Sequence, residues 1–161
     1  MADLQILPHH GVRTCRPCLA CCVHLPIPPG MIGPGEKPAG IRCTHLGARG
    51  CRIYNRRPTM CANFRCAWLN NASWPETWRP DRSGLLCLRE PIAGRVAAAV
   101  YEICLGALQK PAATEILDAL QRTTDVVAVV DARQRRWCLP GRQAETKPDS
   151  TVAAAALQRG A

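Results

Sequence analysis

The run Cys15-Arg16-Pro17-Cys18-Leu19-Ala20-Cys21-Cys22 spaces four thiols as C-x2-C-x2-C-C. Two thiolates separated by two residues converge on one ion, because the intervening turn brings both sulfurs to the same side at bonding distance. Cys21 extends that spacing to a third ligand. Cys22 is its direct neighbour, and adjacent side chains diverge, so the two serve different ions or one of them binds while the other is free. Cys43, Cys51 and the C-x4-C pair Cys61 and Cys66 follow, which places eight thiols between positions 15 and 66. Two four-cysteine sites would use all eight. A lone buried cysteine behaves as a small hydrophobe, and Cys87, Cys104 and Cys138, isolated among apolar neighbours, are expected to do so.

Eleven cysteines in 161 residues imply either disulfides or metal. Met1 to Gln5 carries an acidic residue and no basic n-region, and Pro8 cuts the brief apolar run short, which does not fit a secretory signal. No apolar stretch is longer than Val96 to Tyr101, which is far below the ~18 residues of a membrane span. The expected compartment is the cytoplasm, where thiols stay reduced and clustered cysteines bind metal or do redox chemistry.

The formal charge of +9 is unevenly placed. Residues 1–66 hold nine Lys/Arg against two Asp/Glu, whereas residues 67–161 hold twelve against ten. The positive excess therefore travels with the cysteines. Electrostatics around a metal must count the ion and its ligands, and eight thiolates on two Zn²⁺ ions would add a net −4 there. The arginine excess offsets an anionic cluster, so charge alone gives nucleic-acid binding little support.

The elements that must position these thiols are sparse. Val, Ile, Leu and Phe make 33 of 161 residues, and only 13 of them lie in the first 66. That is close to the composition at which chains fail to pack a core. Pro26 to Gly40 is crowded with proline and glycine and excludes a long helix or a central strand. Further on, Pro111 and the stripe Ile116, Leu117 and Leu120 predict a helix over Ala112 to Arg122. Val126 to Val130, β-branched and bounded by Asp125 and Asp131, predicts a buried strand. Val96 to Cys104 fits helix or strand and is taken as a strand, the first of a strand–helix–strand unit. Arg136 to Leu139 reads as a short closing strand. The expected fold is α+β: a cysteine-rich, metal-stabilised region over 1–80, an α+β extension over 81–141, and a disordered tail over 142–161.

The three cysteine blocks together resemble a known family. Cys15-x2-Cys18-x2-Cys21-Cys22, then Cys43-Thr44-His45-Leu46, then Gly50-Cys51-Arg52-Ile53-Tyr54-Asn55-Arg56-Arg57-Pro58-Thr59-Met60-Cys61 through Cys66, are similar to the bacterial YkgJ-like cysteine-cluster family. That family is described as a zinc- or iron-chelating domain. The resemblance covers roughly residues 13–69 and implies that Cys15, Cys18, Cys21, Cys22, Cys43, Cys51, Cys61 and Cys66 are the chelating set. Ala62 departs from it, standing where an arginine is expected; this leaves the ligands intact but weakens the inference of a basic contact there.

Zinc suits the set better than iron. Cys15, Cys18 and Cys21 open like a bacterial ferredoxin run, but there the fourth ligand comes after three further residues and is followed by proline. Here Cys22 follows at once and Val23 comes next. Zinc takes four thiolates from scattered loops. The alternatives are an iron–sulfur redox or accessory protein and a zinc-ribbon-like nucleic-acid-binding module. His24 and His45 are close enough to the cysteine blocks to replace a thiolate, while His9 and His10 read as solvated. Trp68, Trp74 and Trp78 are expected to form an apolar lid over the metal region rather than a base-stacking platform. Arg133, Gln134, Arg135 and Arg136 read as a solvated basic turn, and Tyr54 and Pro58 as shapers of the loop carrying Cys51 and Cys61. No G-x-S-x-G, H-E-x-x-H or P-loop motif is present, so the expectation leans away from catalysis.

Overall fold

A computed structural model of the chain describes residues 13–48, 50–92 and 95–142. His9, His10 and the expected tail beyond 142 lie outside the described residues. Up to Cys66 the elements are short, as the proline- and glycine-rich sequence requires. They are helix α1 (Ala20–His24), the two-residue strands β1 (Leu46–Gly47) and β2 (Gly50–Cys51), and helix α2 (Thr59–Asn63). Short helices α3 (Ala67–Asn70) and α4 (Pro80–Ser83) lead into strands β3 (Leu85–Ile92) and β4 (Arg95–Glu102). Helix α5 (Pro111–Gln121) and strands β5 (Val126–Val130) and β6 (Arg136–Pro140) complete the α+β fold.

The long strands form one sheet in the order β3-β4-β5-β6. β3 and β4 pair antiparallel from Leu85↔Glu102 to Ile92↔Arg95. β4 and β5 run parallel, joined through α5, which is the expected strand–helix–strand unit. β6 returns antiparallel on β5. Pro111 opens α5 at its first turn, where its missing N–H costs nothing. The expected strands over 96–104, 126–130 and 136–139 are β4, β5 and β6. Strand β3 was not anticipated, because Leu85-Leu86-Cys87-Leu88 is an unbroken apolar run that carries no period.

Both faces of the β3–β4 pair are covered, whereas β6 is largely exposed. Leu85, Cys87, Ala98, Val100, Val127 and Val129 pack on one face with Ile116 and Leu120 of α5. Leu86, Leu88 and Ala99 point the other way and meet Ala20 of α1, with Leu25 and Phe64 alongside. Burial on both faces explains why the strands read as apolar runs rather than as alternating ones. The cysteine-rich lobe is thus the second covering layer of the sheet. Gly84, with φ of +78°, closes α4 in the left-handed conformation. A Cβ there would lie 2.8 Å from that of Ala107, so glycine is needed both for the turn and for the approach.

Two expectations are corrected. Trp68 and Trp74 are buried in the core on the α5 face, with Trp78 packed edge-on against Trp74, so these rings are core rather than a lid or a stacking platform. The apolar segments around them need a covering layer on that face of the sheet, and the rings supply it. Cys87 is buried as expected, but Cys104 and Cys138 are exposed. Cys104 lies in the turn after β4, and Cys138 lies on β6, the edge strand of the sheet among the described residues. The basic turn carries Arg135, which is ion-paired to Asp131 at 2.7 Å.

Candidate metal centre

Among the described residues up to Cys66, the buried apolar side chains are only Ala20 and Ile27. This lobe has almost no oil-like core of its own. It surrounds a cavity of about 320 Å³ lined by all eight of Cys15, Cys18, Cys21, Cys22, Cys43, Cys51, Cys61 and Cys66. None of Cys87, Cys104 and Cys138 lines it. All eight are free thiols and half-buried. Tyr54, Arg57, His45 and Phe64 share the wall, and no Asp or Glu is among the lining residues.

Local backbone contacts gather these thiols from distant parts of the chain. α1 carries Cys21 and Cys22, and the Cys22 carbonyl accepts the Cys43 N–H at 2.9 Å. The Leu46 N–H then donates to the Cys43 carbonyl at 2.9 Å, and Leu46 pairs with Cys51 across β1–β2. Cys61 sits on α2, and Cys66 stands at the N-terminal boundary of α3. The segment between α1 and Cys43 closes on itself through paired 2.8 Å hydrogen bonds between Ile27 and Lys37. Lys37 Nζ reaches back to donate to the carbonyls of Val23, Leu25 and Pro38, satisfying groups at the end of α1.

The electrostatics are those of crowded thiols beside cations. Burial pushes the Cys18 thiol up to about 11. The Cys21 thiol donates to Cys22, which holds the Cys21 proton on and helps Cys22 lose its own. Burial raises Cys61, and the neighbouring Cys22, Cys43 and Cys51 raise it further. Burial also raises Cys66, with Cys15 adding to it. Thiols crowded in this way do not all ionise without a compensating positive charge. Arg57 donates towards the Cys15 sulfur at 3.8 Å, and Lys37 adds a second cation beside Cys22.

The donor set fits a thiophilic ion, being all sulfur, unpaired and concave. Among the described residues no three His, Cys, Asp or Glu side chains already converge on one point. The thiols ring the cavity and must turn inwards to coordinate. His45 lines the wall with Nε2 3.3 Å from the Ile32 carbonyl, whereas His24 does not line it. Sequence reasoning missed Arg16, Arg57 and Lys37. The two arginines stack on the Tyr54 ring at 3.9 and 3.8 Å. Arg57 lies inside the third cysteine block and could have been weighed there, whereas nothing around Lys37 marks it. Comparison of the chain with family models, with curated proteins and with solved structures found no match. No helix among the described residues is long and apolar enough to cross a membrane.

Proposed function

We propose that the chain binds metal ions through the eight cysteine thiolates of this cavity, and that the ions hold the N-terminal lobe together. The observation that carries this reading is the sorting of the eleven cysteines. The eight clustered ones share one cavity as free thiols, and the other three lie outside it. The near absence of buried apolar side chains in the lobe supports it, because something other than an oil-like core must fix the loops.

Two Zn²⁺ ions are the expected load, with iron or an iron–sulfur cluster as the alternative. When bound, such an ion supplies a tetrahedral cross-link between segments far apart in sequence and Lewis acidity that stabilises thiolates. The chain's own contribution is to hold the sulfurs half-buried and to set Arg57 and Lys37 beside them as compensating charge. Four thiolates per ion leave no open position, so the role is chelating or structural, and reduced thiols fit a cytoplasmic setting. Elemental analysis of protein purified without oxygen tests this. The expected result is two zinc ions per chain in colourless protein. Brown protein with broad visible absorption moves the assignment to iron–sulfur, and metal-free protein with eight alkylatable thiols overturns the reading.

A further inference from the structure

The cavity's eight thiols are not equivalent. Cys15 and Cys66 pack against the core on the α5 face of the sheet, and Cys18 and Cys66 pack against the core on the other face. None of Cys21, Cys22, Cys43, Cys51 and Cys61 belongs to either core. Cys22, Cys43, Cys51 and Cys61 are tied to one another instead. Backbone contacts run from Cys22 to Cys43 and on through Leu46 to Cys51, while Cys61 has Cys22, Cys43 and Cys51 as its charged neighbours. Cys21 stands next to Cys22 on α1, and neighbouring side chains on a helix diverge.

Resting on the metal-binding reading above, we propose that the backbone of α1 divides the cavity into two separate four-sulfur sites. The inner site, against the sheet, is Cys15, Cys18, Cys21 and Cys66. The outer site is Cys22, Cys43, Cys51 and Cys61. Two consequences run against a pairing by sequence proximity. Neighbouring Cys21 and Cys22 belong to different ions, and the C-x4-C pair is split, with Cys61 outer and Cys66 inner. Three of the inner sulfurs, Cys15, Cys18 and Cys66, are anchored on packed cores, and the outer site rests on loops, short helices and two-residue strands. The outer ion therefore exchanges first.

The test uses the whole chain, reduced, without oxygen and loaded with Zn²⁺ alone. Cys51→Ser with Cys61→Ser is expected to retain one ion, because both serve one site. Cys61→Ser with Cys66→Ser is expected to retain none, because each belongs to a different site. Retention of one ion by the Cys61/Cys66 double variant overturns the division. Circular dichroism checks that the sheet survives in each variant. A measurement needing no variant is ¹¹³Cd resonance of the cadmium-loaded native chain. Two signals without cadmium–cadmium coupling are expected, whereas coupling through a shared sulfur overturns the division. Chelator should remove zinc in two phases of equal amplitude, with the fast phase missing from the Cys51/Cys61 variant; a single phase overturns the ordering. A native chain that takes up no zinc and no cadmium fails differently: it removes the metal-binding reading itself.

Discussion

The Tyr54 hydroxyl lies 3.6 Å from the Cys15 sulfur. Its donation to that sulfur holds the phenol proton on, above the usual tyrosine range. Arg16 and Arg57 stack on the same ring, so the hydroxyl is aimed by two cations as well as by the loop that carries it. Groups that hydrogen-bond a metal-ligating side chain fix its orientation, and losing one typically costs about 10–100-fold in affinity. Tyr54→Phe keeps the ring for both arginines and removes only the donor. Zinc affinity by chelator competition is expected to fall by about tenfold for the ion held by Cys15, with the second ion unchanged. Unchanged affinity for both ions would show that the contact does not support the sulfur.

The three cysteines outside the cavity separate packing from chelation. Cys87 is buried in the core on the α5 face, and burial pushes its thiol well above the ordinary range. Cys87→Ser places a hydroxyl there without a designed partner, at a cost of about 1–3 kcal/mol, and should leave metal content unchanged. Cys104→Ser and Cys138→Ser, at exposed positions, should alter neither stability nor metal content. Urea midpoints and elemental analysis check the three together. Metal loss in any of them would mean that the boundary of the chelating set is misplaced.

What the sequence made legible follows from how local each signal is. α5 and β5 were readable because a proline at the first turn, an Ile116–Leu120 stripe and a β-branched run are all local features. The alanine run in β4 left helix and strand both open, and it resolves as a strand because Ala98 and Ala99 face opposite cores that both approach closely. Cys104 and Cys138 misled because apolar neighbours in sequence do not reveal that one lies past a strand end and the other on an edge. The spacing of Cys15, Cys18 and Cys21 announced a shared site. That Cys43, Cys51, Cys61 and Cys66 line one cavity depends on the paths of three loops, and no periodicity records those. Their crowding between positions 15 and 66 and the resemblance of the blocks placed them in one set.

The sheet half carries its own pH dependence. Glu102 accepts the N–H groups of Leu108 at 3.1 Å and Ala132 at 2.9 Å, tying the end of β4 to both following turns. Burial pushes its carboxyl up, but these and neighbouring backbone donors outweigh that and hold it below the ordinary range. At Asp131 burial likewise raises the carboxyl, and the N–H groups of Arg135 and Arg133 with the Arg135 guanidinium bring it below. A carboxyl lowered by folding stabilises the native state above its unfolded value, about 4. That contribution is lost as pH falls through the lower native value. Urea midpoints of ion-free chain, which avoids acid release of metal, should therefore drop on acidification below about pH 4. Asp131→Asn should be less stable at pH 7 and lose less on acidification. Parallel curves for the two proteins would remove this account.

The contrast between the two halves sets the expected outcome of removing the ions. The sheet is enclosed by Leu85, Leu86, Ile116, Leu120, Val127 and Val129, all at most 1% exposed, while the described lobe up to Cys66 buries only Ala20 and Ile27 among its apolar residues. Burial of large side chains contributes about 1.5–3 kcal/mol each, so on the metal-binding proposal the sheet is expected to hold without metal and the lobe is not. Where a structural ion is bound, its binding energy is folding energy. Chelation of the reduced chain should abolish amide-exchange protection at Cys22–Cys43 and in β1–β2 while sparing β3–β5. Restoring zinc should bring it back. Loss of protection across both halves together would mean that the sheet depends on the lobe as its covering layer. Full retention in the lobe would mean that its loops are fixed without sulfur–metal bonds, and the metal-binding proposal would lose its physical reason.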